Sequence, residues 1–167
     1  MKTEMKVKKK IVQIVRSLIK EKRFFRQDLD KKKNMLLEAF KEFQKVYGVS
    51  GKMVIKKINA DKPGVTFSHY NKTDSLIFLD KPSVVNFLHE FRHLLQFEKY
   101  RKIDMDALEA DARLWSLNVF KKASKRAYEN AEKKGLLIFD LKNIRKEGSC
   151  REDRRSHQLC PLAGRHD

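Results

Sequence analysis

The stretch NFLHEFRHLLQ, residues 86–96, puts His89, Glu90 and His93 within one turn of a strongly apolar segment. Val84, Val85, Phe87, Leu88, Leu94 and Leu95 surround them, and Pro82-Ser83 precedes them. That pattern predicts a mostly buried helix over about 83–99. Residues four apart on a helix share a face, so the two imidazoles can converge on one point. Zinc takes such nitrogens at about 2.0–2.1 Å in a tetrahedral shell. Buried histidines and carboxylates without partners cost free energy, and a bound cation is the simplest partner. Glu90, beside the first histidine, is placed to reach a water held by the metal, accept its proton and pass that proton to a leaving amine. The order H-E-x-x-H thus supplies two ligands and a general base from one turn. The bland alternative is a half-exposed helix whose Glu90, Arg92 and His93 simply face water.

A third ligand is sought downstream in DMDALEADARLWS, residues 104–116, which also reads as helix. Met105, Leu108, Ala112, Trp115 and Val119 form its apolar stripe. Glu109 and Asp111 flank that stripe on opposite sides, about 200° apart, so one zinc is not expected to take both. Glu109 has the longer reach and is the favoured ligand. Asp111 lies nearer the stripe and suits a hydrogen bond that supports a ligand histidine, or serves as the alternative ligand.

Outward from these helices the pattern changes. MKVKKKIVQIVRSLIKEKRFF carries apolar residues at spacings of three and four, and a second helix from about Asp28 stops at Gly48. KMVIKKI, GVTFSHY and SLIFLD are β-branched or aromatic runs separated by turn residues, expected as a small antiparallel meander. The acidic segment is expected to continue as one long helix from Met105 to Lys133, ended by Gly135. LLIFDL after it reads as a last strand or a short packed segment. The expected organisation is a basic N-terminal helical hairpin over 1–49 packed on an α+β domain over 50–144. The tail, 145–167, differs in composition, holds both cysteines, and reads as disordered or as extraneous cloning-derived sequence. Its C-x6-H-x2-C-x5-H pattern lacks a tight cysteine pair and makes a poor zinc knuckle.

The chain has 167 residues and a net charge of +17, with 15 Lys or Arg against 6 Asp or Glu in residues 1–50. Lys8, Lys9, Lys10, Lys31, Lys32 and Lys33 could make weak, sequence-blind phosphate contacts with nucleic acid, although a lysine-rich solvated surface is the favoured reading, since no DNA-reading motif and little aromatic interleaving accompany them. No apolar run is long enough for a membrane span or a secretory signal, so a cytoplasmic protein is expected.

H-E-x-x-H followed on the next helix by an acidic E-A-D-A segment resembles the gluzincin branch of zinc metallopeptidases. It is most similar to the minimal zincin domains of bacteria and mobile elements, including the ImmA/IrrE type. The resemblance covers about residues 50–120. It implies a zincin fold, one zinc ion held by His89, His93 and Glu109, Glu90 as the base, and a protein or peptide substrate. It also implies an edge strand above the cleft that pairs with the extended substrate, here SLIFLD near Leu76 and Phe78. The chain departs from the family at Ala107, where many members carry the ligand glutamate. The competing expectation is a zincin-like protein that binds nucleic acid or protein with a structural metal or none.

Overall fold

The computed structural model describes residues 7–20, 24–56, 69–99 and 105–137. Helix α1 (Lys9–Ile19) buries Ile11, Val15, Leu18 and Ile19 along one face. Helix α2 (Leu29–Tyr47) starts where the Asp28 carboxylate accepts the Lys31 N–H at 2.8 Å, satisfying one of the free first-turn donors. It ends at Gly48, whose φ of 66° is the left-handed stop that a glycine adopts without Cβ strain.

Three short strands follow: β1 (Lys52–Ile55), β2 (His69–Asn71) and β3 (Leu76–Leu79). They do not form the expected meander. The order is β1-β3-β2, with β1 parallel to β3 and β2 antiparallel to it, so the sheet is mixed. Burial explains the order. Ile77 and Leu79 of β3 are fully buried, whereas β1 exposes Val54 and β2 has only three residues. The strand with the strongest buried face takes the centre, where both of its edges are paired. Gly51 allows the parallel pair to close: a Cβ there would lie 2.8 Å from the Ser75 carbonyl oxygen, which accepts the Lys52 N–H at 2.9 Å.

Helix α3 (Val84–Lys99) carries the histidine motif and runs through the middle of the core. Ser83 opens it, its hydroxyl accepting the Asn86 N–H and its carbonyl the Phe87 N–H. One flank packs on the sheet and another on helix α4 (Met105–Ala123). Phe40, Phe43 and Tyr47 of α2 pack edge-on or tilted against Phe87 and Phe91 of α3 at ring separations of 5.0 to 6.5 Å. The N-terminal helices therefore share one continuous core with the sheet and motif helices.

The long C-terminal helix expected from Met105 to Lys133 is two helices. Helix α4 ends at Ala123, and α5 (Lys125–Lys133) begins after Ser124, which leaves helical geometry and accepts the Ala127 N–H with its hydroxyl at 3.1 Å. Arg16 of α1 donates to the carbonyls of Lys122 and Ala123, satisfying acceptors that a continuous helix would have used. A serine cap and a tertiary arginine together outweigh the local periodicity. Among the described residues no helix is long and apolar enough to cross a membrane. Most of LLIFDL and the whole 145–167 tail lie outside the described residues.

Candidate metal centre

His89 and His93 project from one face of α3 towards α4. Their Nε2 atoms stand 3.1 Å apart, with the rings nearly perpendicular. Glu109 of α4 reaches across from the facing helix. One carboxylate oxygen lies 3.0 Å from His93 Nε2 and the other 3.4 Å from His89 Nε2. Three ligand-type atoms from two helices thus converge on one point. Bonds of about 2.0–2.1 Å in a tetrahedral shell separate neighbouring ligand atoms by about 3.3 Å. The two nitrogens stand 3.1 Å apart, and each has a different Glu109 oxygen at 3.0 or 3.4 Å, close to that spacing.

The surroundings are dry on one side and open on the other. His89, Glu90 and His93 are each less than a tenth exposed, whereas the Glu109 side chain is 39% exposed. Burial is the largest influence on Glu90, and with the nearby Glu109 charge it outweighs the attraction of His93, raising the carboxyl to about 7. Burial pushes His89 below its ordinary value, with Glu109 opposing. Burial also pushes His93 down, but the Glu109 hydrogen bond and charge, the Glu90 charge and the Gln96 hydrogen bond prevail and hold it above its ordinary value. Glu109 is held far below the usual carboxylate range by its bonds to His89 and then His93.

Asp111 does not join the cluster. Its Oδ2 accepts from Arg92 Nε at 2.7 Å and from Gln96 Nε2 at 2.6 Å. Glu109 and Asp111 thus have different direct partners, Glu109 the two histidines and Asp111 the Arg92 and Gln96 side chains. Arg92, almost fully buried, rests over the Trp115 ring. Arg113 pairs with Glu109 one turn earlier at 3.6 Å. Sequence reasoning missed the position of Gln96 between His93 and Asp111. Its only signal was an amide one turn after a ligand histidine.

The expected substrate edge needs correction. Leu76 and Phe78 lie on β3, the central strand, and both edges of that strand are already paired. Among the described residues β2 is the strand with an open edge beside α3. There Tyr70 stacks on Phe97 at 5.5 Å, Lys72 Nζ lies 5.4 Å above the same ring, and Phe97 lies 6.5 Å from the His93 ring. His69 stacks on Phe78 and takes no part in the cluster. Several of the basic residues that might meet phosphates have partners within the chain. Lys31 and Lys33 pair with Asp28 and Asp30, and Lys8 donates to the Val46 carbonyl.

Comparison of the chain with protein-family models, curated proteins and solved structures gave no match.

Proposed function

We propose that the chain is a zincin-like, zinc-dependent peptidase, with His89, His93 and Glu109 holding the metal and Glu90 acting as the base. The carrying observation is that two imidazole nitrogens and a carboxylate meet at tetrahedral ligand spacing with one flank open. Such a convergence is one that a cation can bridge in place of the ring protons. Two nitrogens and one oxygen suit zinc, and a three-ligand set leaves a coordination position free, as catalytic zinc sites require. The competing reading, a closed structural metal, needs a fourth protein ligand, and among the described residues the group has three.

When bound, zinc supplies Lewis acidity that brings the pKa of water towards about 7 and polarises a carbonyl. The chain's own residues do the rest. His89 and His93 fix the metal's place against the buried face of α3. Glu90, adjacent to His89 on the same turn, accepts a proton from the attacking water on its carboxylate and returns it to the departing amine nitrogen.

The test is cleavage of an unfolded protein such as casein by the zinc-loaded chain, read as new amino termini. Glu90→Gln keeps the charge-free shape of the acid and should retain zinc while losing at least ~100-fold in rate. Absence of cleavage by the zinc-loaded wild type across unfolded substrates, or equal cleavage by the variant, would count against the reading.

A further inference from the structure

We infer that Gln96 is a positioning residue for the metal centre, oriented by Asp111, and that it fixes which nitrogen of His93 faces the ligand point. This inference rests on the proposed metal centre.

The argument follows from which groups can donate. The Gln96 amide is 1% exposed and sits one turn beyond His93 on α3. Its nitrogen meets two acceptors on α4, the Leu108 carbonyl at 3.0 Å and Asp111 Oδ2 at 2.6 Å. A carbonyl oxygen cannot donate, and neither can an ionised carboxylate. The NH2 end must therefore face α4, which leaves the amide oxygen 2.8 Å from His93 Nδ1. An oxygen that only accepts requires a proton on Nδ1. The neutral ring then carries its lone pair on Nε2, the atom that faces His89 and Glu109. Arg92 Nε holds the other end by donating to the same Asp111 oxygen at 2.7 Å.

The chain of bonds thus runs Arg92, Asp111, Gln96, His93. It does for His93 what a directly bonded carboxylate does for many metal-bound histidines, with one amide interposed. The carboxylate at its far end polarises the amide and makes His93 Nε2 a better donor to a metal. A tie that merely joined α3 to α4 would need only the Leu108 bond, and the amide oxygen could point anywhere.

Zinc affinity, measured by competition with a chromophoric chelator, separates these roles. Gln96→Met keeps the length and removes both ends of the relay, and it should weaken zinc binding by about ten- to a hundredfold. Asp111→Asn leaves an acceptor for Gln96 without the charge and should show a smaller loss in the same direction. Melting of the metal-free proteins controls for folding. Should Gln96→Met fail to fold, ¹⁵N NMR of histidine in the zinc-loaded wild type decides the matter: a proton on His93 Nδ1 with metal on Nε2 is expected, and the reverse assignment overturns the inference. A wild type that holds zinc beside a Gln96→Met that binds it equally well overturns the relay alone. A wild type that binds no zinc overturns the relay together with the metal centre beneath it.

Discussion

Glu90 and His93 are buried side by side on α3, and in the metal-free protein both hold a proton more tightly than they would in an unfolded chain. Glu90 sits at about 7 against an ordinary 4.5, and His93 lies above 6.5. Such groups contribute stability that is lost as pH rises through their folded values. His89 acts in the opposite sense because its folded value lies below 6.5, and its contribution tapers off as the unfolded histidine loses its proton above that pH. From pH 6.5 to about 7.5 the losses from Glu90 and His93 outweigh the small remaining gain from His89, and the melting temperature of chelator-treated protein should fall. Glu90→Gln should flatten that fall; a rise in wild-type melting temperature over the interval would contradict the assignment. With zinc the dependence should reverse, since neutral imidazole is the form that binds. Much of this was legible in the sequence. The i, i+4 spacing placed His89 and His93 on one face, and the apolar neighbours implied their burial. The longer side chain favoured Glu109. Gln96 was visible three residues after His93, but its partners could not be read, because they exist only when α4 brings Leu108 and Asp111 against it.

At the scale of elements, two junctions set the position of the motif helix and its neighbours. Ser124 separates α4 from α5 by offering its hydroxyl to the Ala127 N–H. Ser124→Ala should lower unfolding free energy by about 1 kcal/mol, measured by urea denaturation, the usual cost of losing such a cap. No change would mean that the Arg16 bonds alone end α4. Gly51 is the second junction. Gly51→Ala would press a methyl group against the Ser75 carbonyl and should destabilise the fold by about 1–3 kcal/mol through forced separation of β1 from β3. A substitution without cost would contradict the close approach. The sequence announced β1 and β3 by their β-branched and aromatic composition, whereas of the run GVTFSHY only its end enters β2 and residues 65–68 lie outside the described residues; the order of the strands was not announced. Order depends on which strand buries the better face against α3, and that is a tertiary property. The break at Ser124 was hidden for a related reason: the arginine that takes the last carbonyls of α4 comes from position 16.

For the whole molecule, the proposed site lies where the packing of α3 against α4 meets solvent, and one core supports both helices. Ile11 and Val15 of α1, Phe43 of α2, Ile77 of β3 and Leu117 of α4 are all fully buried in it. That continuity explains how a buried acid, two histidines and the buried Arg92 can be held on adjacent turns: the apolar remainder of α3 carries the folding energy. A bound metal should add to it, because a ligand that prefers the folded state stabilises that state by mass action. The net charge of +17 bears on solubility and on encounters with anionic partners, not on the fold. The most direct measurement is the zinc content of the full chain by elemental analysis, after loading and dialysis, beside Glu109→Ala treated in the same way. The account predicts about one zinc per wild-type chain and its loss from the variant. A wild type that retains no zinc, or a Glu109→Ala chain that holds it equally well, would contradict the three-ligand centre.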